Sequence, residues 1–471
     1  MKKERRDFLK KIAASGMGLG LAPHLHGKGI PLNTNGYATG SNKNAKGAPT
    51  NQTFNMCGYR APKIETVRVG FIGVGSRGYA NLRQMTYLEG VEIKAICDIV
   101  QPRIDEAQQL LAQCNLPRAK AHIGDEEWKR VCEAPDIDLI SIAVPRGPLH
   151  AAISVYAMEC GKHVAVEVPA IATVDEAWEV VEVSERTRKH CFMMENCCYD
   201  FFELLTLNMA RQGFFGDIIH ADAAYIHYQK IYEKPKDKNM WRLKESQRFG
   251  GNIYPTHGLG PVCQAMDINR GDKLNLLVSM TSDDFTLGKK VAELAETDPF
   301  YRPFNTNSYK GNMNTSIIRT EKGKTIMLQH DTSSPRVYTR IHMLSGTKGA
   351  AQKYPEPARI SIGHQWLNEE EMEAVYQEYT PEIVKRVGEK AKEVGGHGGM
   401  DFLMTWRLID CLRNGLPLDI DVYDAAAWSV IIPLSQWSEA NNSKPIEIPD
   451  FTRGAWKVNK PIANDIYSYL G

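Results

Sequence analysis

The segment Gly73-Val74-Gly75-Ser76-Arg77-Gly78 follows directly on the apolar run Val67–Ile72 and fits G-x-G-x-x-G. At a strand-to-helix turn, such glycines let the backbone approach a pyrophosphate, and the helix N-terminus adds free N–H groups and a positive dipole. A second apolar run ends at Asp98, about twenty residues past the last glycine, where a carboxylate accepts hydrogen bonds from ribose hydroxyls and repels a 2′-phosphate. This set reads as a dinucleotide site that favours NAD. Farther along, Glu167-Val168-Pro169 closes another apolar run. His257 lies in the Gly/Pro-rich stretch Gly250–Gly260 beside Tyr254 and Thr256. A histidine among turn residues suits proton transfer, with a structural hydrogen bond as the alternative.

These residues need a scaffold. Between Thr66 and Glu195 the pattern predicts strands at 67–72, 91–97, 138–143, 163–166 and 191–194. They alternate with helical stretches around 78–88, 102–113, 125–133, 148–160 and 174–188. That rhythm implies an α/β doubly wound parallel sheet with its ligand at the carboxyl ends of the strands. After Asn196 the period changes. A helix over 201–212 leads to alternating segments at Asp217–His227, Leu274–Thr281, Asn312–Thr320, Thr325–Thr332 and Thr339–Gly346. These predict an α+β domain with a large open, mostly antiparallel sheet. Helices return at 368–392 and 397–414, and the tail from Asp450 packs back. The expected division is a Rossmann-type domain over 60–195 and a ligand-binding domain over 196–471, preceded by residues 1–55.

Composition narrows the rest. The 471-residue chain is 43% hydrophobic and 24% charged with a formal net charge of +1, which gives no reason to expect nucleic acid as a partner. Nowhere is there an apolar run of the roughly eighteen residues needed to span a bilayer. Arg5-Arg6 before Phe8-Leu9-Lys10 and the short apolar stretch Ile12–Pro23 resemble a twin-arginine export signal, which predicts a periplasmic or exported protein. The Gly-, Asn-, Thr- and Lys-rich residues 27–55 read as a flexible linker. All ten cysteines lie at or beyond Cys57 and form no C-x-x-C pair, so buried free thiols are expected and a metal site is not.

Several stretches carry a family resemblance: Gly70–Gly78, Val166-Glu167-Val168-Pro169, Met194–Tyr199, Asn252–Gly258 and His397-Gly398-Gly399-Met400-Asp401. Through them most of the chain resembles the Gfo/Idh/MocA oxidoreductase superfamily and, within it, glycoside hydrolase family 109, the NAD-dependent α-N-acetylgalactosaminidases. The resemblance implies NAD contacts from Ser76, Arg77, Asp98, Glu167, Val168 and Asn196. It implies substrate contacts from Arg242, Tyr254, Pro255, Thr256, His257 and Tyr338, and an active-site tyrosine at Tyr199. The family's Trp-x-Trp-His near the nicotinamide is replaced here by Arg146-Gly147-Pro148-Leu149-His150, so His150 is carried over as a cofactor residue across a departure.

The side-chain chemistry leaves alternatives at these positions. Tyr199 is a base or a stacking platform for sugar. Arg242, beside Trp241, binds sugar oxygens or forms a surface salt bridge. Tyr338 contacts ligand or packs, and His397 reaches the site or starts a helix. Val168 stands where the sugar dehydrogenases carry lysine, and Ile253 where they place an aspartate before the histidine. No carboxylate pair stands out for acid–nucleophile glycoside hydrolysis. The implied activity is therefore a redox-neutral glycosidase working by oxidation, elimination, addition and reduction, with His257 and Tyr199 moving protons. A periplasmic NAD(H)-dependent sugar oxidoreductase and a non-catalytic sugar- or NAD-binding sensor are the alternatives. The open face of the second sheet suggests a homodimer.

Overall fold

Six short strands, each almost wholly apolar where it is central, pair in parallel: β1 (Val67–Ile72), β2 (Val91–Asp98), β3 (Lys120–Ile123), β4 (Leu139–Ile142), β5 (His163–Val166) and β6 (Cys191–Met193). Their order is β3-β2-β1-β4-β5-β6. The direction of winding reverses between β1 and β4, which opens the crevice where such sheets bind ligands. β4 and β5 are buried along their whole length because helices cover both faces. β3 was not predicted: its Lys120-Ala121-His122-Ile123 is largely exposed, and an edge strand needs no apolar run. The computed structural model describes residues 52–233, 240–247, 250–306 and 309–461. The twin-arginine stretch lies outside these residues.

The second sheet has nine strands: β7 (Ile218–Ile226), β8 (Leu274–Thr281), β9 (Asn314–Thr320), β10 (Thr325–Asp331), β11 (Met343–Gly346), β12 (Gly349–Gln352), β13 (Arg359–Ile362), β14 (Gln365–Trp366) and β15 (Ile446–Glu447). The order is β14-β13-β12-β11-β7-β10-β9-β8-β15, antiparallel throughout except for the parallel β7–β10 pair. One face is buried through Ala221, Ala223, Ile318, Ile326 and Leu328. On the other, Val278, Ile317, Met327, Asp222 and Met343 stand in one row across five strands.

One apolar core runs through both sheets, from Met56 and Val69 to Ile318 and Phe451, and a smaller cluster gathers around Ile231, Leu243 and Val291. Residues 52–56, partly read as flexible linker, are tied to it. Gln52 Nε2 and the Met56 N–H both donate to the Tyr423 hydroxyl, at 2.7 and 3.1 Å, and Asn55 Nδ2 donates to Asn459. The long helix expected over 368–392 is two, Glu369–Tyr379 and Glu382–Val394, because Pro381 cannot continue the first.

Candidate active site

The fingerprint turn has the geometry its spacing demands. Gly73 sits at φ +83°, a region closed to most side chains, and a Cβ there would lie 2.7 Å from the Ala143 carbonyl oxygen. A Cβ on Gly78 would stand 1.9 Å from the Gly73 carbonyl, so only glycine lets the Ser76–Met85 helix start this close to β1. Asp98, 6% exposed, ends β2 and accepts from the Val74 N–H at 2.9 Å and the Val100 N–H at 3.0 Å. This pins the carboxylate beside the glycine turn. The cradle a Cβ would fill, the helix N-terminus and the anchored aspartate together fit a dinucleotide.

Arg77 connects this turn to the rest of the molecule. Its Nε donates to Glu167 Oε1 at 2.8 Å, just past β5, and its Nη1 donates to Asp401 Oδ2 at 2.8 Å. Asn81 shares Glu167 Oε1, and Asn196 Nδ2 donates to Asp401 Oδ1 at 2.6 Å. His397 Nδ1 lies 2.8 Å from Asp401 Oδ2. Burial alone would raise the Asp401 carboxyl, but the bond from His397 and the charge of Arg77 outweigh it and hold the group well below its ordinary range. Ser76, Arg77, Glu167, Val168 and Asn196 therefore gather at one crevice. Asp401, which sequence reasoning quoted without a role, ties Arg77, Asn196 and His397 together.

His257 is the second residue of the Thr256–Ala265 helix rather than part of an irregular turn. Two glycines allow it. A Cβ on Gly258 would lie 2.5 Å from the Ala224 backbone nitrogen, and one on Gly260 would lie 3.0 Å from Cys198 Sγ. The helix is thus pressed against β7 and the Asn196–Tyr199 turn, which brings His257 Nδ1 to 2.6 Å from Glu195 Oε1. The Glu195 side chain is fully buried and also accepts the Cys197 N–H at 3.1 Å. Burial raises its carboxyl, yet the charge and hydrogen bond of His257 and the Cys197 N–H outweigh this and leave it lowered. An ionised Glu195 holds the proton on Nδ1 and leaves Nε2 to exchange protons with a ligand. Ile253, where the dehydrogenases place an aspartate, is thereby bypassed: the acidic partner comes from the end of the first sheet. A Met194-Glu195-Asn196 run ending a predicted strand was the available signal.

Glu195, Cys197 and His257 also bring their ligand atoms within 4.8 Å of one another. Burial pushes the Cys197 thiol well above its ordinary range. Within this set Glu195 and His257 are joined by the 2.6 Å hydrogen bond.

Aromatic rings wall the space around His257. Tyr254 and Tyr225 stand edge-on to it, with centroids at 4.8 and 5.0 Å, and Tyr338 is 6.3 Å from Tyr225. Tyr225 was not singled out from sequence; it lies on β7, with its ring against His257. Pro255 caps the His257 helix and Thr256 is fully buried beneath it. Arg242 lies over Trp241 at 4.5 Å and donates to Gln229 Oε1 at 3.3 Å. Tyr338 accepts from Arg340 Nη1 at 2.9 Å.

Two expected residues fall elsewhere. Tyr199 is 1% exposed and its hydroxyl donates to Asp419 Oδ2 at 3.2 Å, inside a buried group with Arg407, so it is neither base nor sugar platform here. His150 is 1% exposed, with Nδ1 at 2.9 Å from the Pro169 carbonyl and Nε2 at 2.9 Å from the Val144 carbonyl. It braces the two loops that border the cofactor crevice and offers no nitrogen to a ligand. Arg146 takes the prominent place in this segment. It forks onto Glu245, donates to the Ile253 carbonyl and lies 5.3 Å from the Tyr254 ring centroid.

Residues 67–195 match the oxidoreductase family with the NAD-binding Rossmann fold, and residues 199–458 match the C-terminal domain of glycosyl hydrolase 109. A glycosyl hydrolase family 109 protein of Bacteroides fragilis is 44% identical over 431 residues, covering 86% of this chain and 89% of the relative. An alpha-N-acetylgalactosaminidase of the same organism is 46% identical over 412 residues, covering 86% and 96%. Among solved structures, levoglucosan dehydrogenase in complex with NADH and levoglucosan superposes with a TM-score of 0.62 at 16% identity, over 82% of this chain and all of that one. That last likeness is one of fold. The matched domains and the identity over most of the chain place this protein in glycoside hydrolase family 109, with NAD as its cofactor.

Proposed function

We propose that the protein hydrolyses terminal α-N-acetylgalactosaminides, or a closely related glycoside, with NAD kept in place from one turnover to the next. The observation that carries this reading is the Glu195–His257 pair at 2.6 Å, set beside a cofactor crevice where Val168 replaces the dehydrogenase lysine. The relative named alpha-N-acetylgalactosaminidase supports the substrate class.

Gly73, Gly75, Gly78 and Asp98 would hold the dinucleotide, with Ser76, Arg77, Glu167, Val168 and Asn196 at its mouth. When bound, NAD supplies a reversible oxidation of a sugar hydroxyl, which acidifies the neighbouring C–H and opens an elimination–addition route that needs no carboxylate pair. His257 takes and returns protons through Nε2 while Glu195 keeps Nδ1 protonated. Tyr225 and Tyr254 offer ring faces to the sugar, and Arg242 and Tyr338 bind its oxygens.

The test is release of p-nitrophenol from its α-N-acetylgalactosaminide without added redox acceptor, with NADH absorbance followed in parallel. Release without accumulating NADH supports the reading. No release, with NADH building up on free sugars, would replace it by a sugar oxidoreductase.

Export and assembly belong to the same reading. Arg5-Arg6 before Phe8-Leu9-Lys10 supports twin-arginine export to the periplasm. Replacing both arginines with lysine should retain the protein in the cytoplasm, and unchanged fractionation would overturn this. The row Val278, Ile317, Met327 and Met343, with Ile317 45% exposed, supports a homodimer joined through this sheet face. Ile317→Lys should then halve the mass seen by light scattering.

A further inference from the structure

The glycosidase reading uses Glu195 and His257 and leaves the thiol beside them without work. A carboxylate oxygen of Glu195, a ring nitrogen of His257 and Cys197 Sγ all lie within 4.8 Å of one another. Carboxylate, imidazole and thiolate are the ligand types that zinc takes, at about 2.0–2.3 Å. Around a tetrahedral ion such bonds set ligand atoms about 3.3–3.8 Å apart, so the widest gap must close by about 1 Å. Local structure favours the grouping. Glu195 caps the Asn196–Tyr199 turn and accepts the Cys197 N–H on Oε1 at 3.1 Å, which draws the two residues together.

A second, independent observation lies on the same carboxylate. The Glu195 side chain is fully buried, yet its Oε2 has no hydrogen-bond partner among the described residues. Oε1 is taken by His257 and by the Cys197 N–H. A carboxylate oxygen left bare in the interior is costly, and a cation beside it removes that cost. His257, with its side chain 13% exposed, is the open edge through which an ion reaches the set. The protonated thiol is no bar, because a bound ion supplies the positive charge that burial withholds from a thiolate.

We propose that Glu195, Cys197 and His257 form a zinc-binding site, and that zinc bound there switches the catalytic pair off. The ion takes a carboxylate oxygen, Sγ and His257 Nδ1, the nitrogen beside Glu195, with water in the fourth position. The Cys197 thiol gives its proton to solvent. Nδ1 also gives up a proton while Nε2 takes one from solvent, so one proton leaves for each zinc bound. His257 is then fixed with Nε2 protonated and can no longer accept a proton from a ligand. Zinc therefore lowers kcat without filling the space between the tyrosine rings. The binding site stands on geometry alone, and the inhibition rests on the glycosidase reading.

Calorimetric titration of the NAD-loaded full-length protein, first dialysed against EDTA, with zinc chloride tests the site without turnover. One tight ion per chain is expected. Cobalt chloride reads the ligand set, and a thiolate-to-cobalt charge-transfer band in the near ultraviolet should appear. Cys197→Ser and Cys197→Ala should each abolish the band and weaken zinc by about tenfold or more. Cys198→Ser, whose thiol lies outside the set, should leave both unchanged. In the wild-type protein, saturating zinc should lower p-nitrophenol release by about tenfold or more at constant KM, reversibly with EDTA. No zinc binding, no thiolate band in the wild-type protein, or an affinity that survives both Cys197 variants would overturn the site. Zinc binding with undiminished turnover would overturn the switch. Zinc binding with the thiolate band in a protein that never releases p-nitrophenol would support the site and remove only the glycosidase reading.

Discussion

Glu195 and His257 belong to different sheets' neighbourhoods, yet their side chains meet at 2.6 Å. The contact fixes which imidazole nitrogen carries the proton, and it exists because glycines at 258 and 260 let the His257 helix settle against β7. Replacing His257 with Gln should lower kcat by about 10²–10⁴-fold with NAD affinity intact. Glu195→Gln should also lower kcat strongly and leave KM nearly unchanged, since it acts through the histidine. Steady-state p-nitrophenol release together with NAD titration checks both; normal turnover in Glu195→Gln would mean that the tautomer is set by something else.

Tyr199 and Tyr225 should separate cleanly. Tyr199→Phe removes a buried bond to Asp419 and should cost about 1 kcal/mol of stability with activity nearly intact. Tyr225→Phe alters a hydroxyl that contacts His227 and Gln229 beside the site, so its effect should fall on KM and kcat. Urea melts and kinetics on the two variants read the difference.

Gly258→Ala places a methyl group 2.5 Å from the Ala224 nitrogen. Backbone cannot yield as a flexible side chain does, so the helix must move. A stability loss of about 1–3 kcal/mol is expected, accompanied by a fall in kcat as the Glu195–His257 distance lengthens. A variant with unchanged kcat would show that the distance tolerates the shift.

Acid should weaken the fold well before the carboxylates titrate. Burial, with the charge of Lys189, pushes His190 down to about 3, and burial lowers its stacked neighbour His163 as well. In the unfolded chain histidine takes a proton near its ordinary value of about 6.5. Below that pH the unfolded state binds protons that the folded state refuses, so stability is whole above about 6.5 and drains away as pH falls toward 3. Thermal melts between pH 7 and 4 should show a falling Tm, with a shallower slope in His190→Asn; an identical slope would assign the effect to other groups.

Arg146 and Glu245 should behave as a unit. Their fork joins the loop after β4 to the Met240–Ser246 helix. Arg146→Ala and Glu245→Ala should each raise the KM for the glycoside, and the double variant should be no worse than the poorer single one. An interaction energy of about 0.5–3 kcal/mol in this cycle is expected; strict additivity would show that the fork is incidental.

The first sheet was largely legible because β4 and β5 are buried on both faces and read as near-continuous apolar runs, while β1 and β2, interrupted only by Arg68, Glu92 and Lys94, run into the glycine turn and Asp98. The polar edge strand β3 had no such signature. In the second sheet, β7 to β11 alternate with period two and were found, while β12 to β15 are too short to show a period. The helices Val422–Ser429 and Ile431–Ala440 were missed because they are apolar nearly all round and present no stripe. For the site, His257 and the cofactor turn are written in local sequence. Its partner Glu195 and the wall residue Tyr225 are set by packing between distant segments. Tyr199 and His150 carry suggestive side chains, but the partners that claim them, Asp419 and the Val144 and Pro169 carbonyls, are visible only in three dimensions.

Arg77 reaches from the first glycine turn to Asp401, 324 positions later in the chain. During synthesis, the sheet that cradles the dinucleotide is complete once β6 has emerged, while the residue that fixes Arg77 is still untranslated. A nascent chain or a fragment ending near residue 195 therefore presents an arginine held on one side only. The order of events is thus built into the connectivity: the first sheet can form early, and the Arg77–Asp401 clasp closes only when the chain is nearly finished.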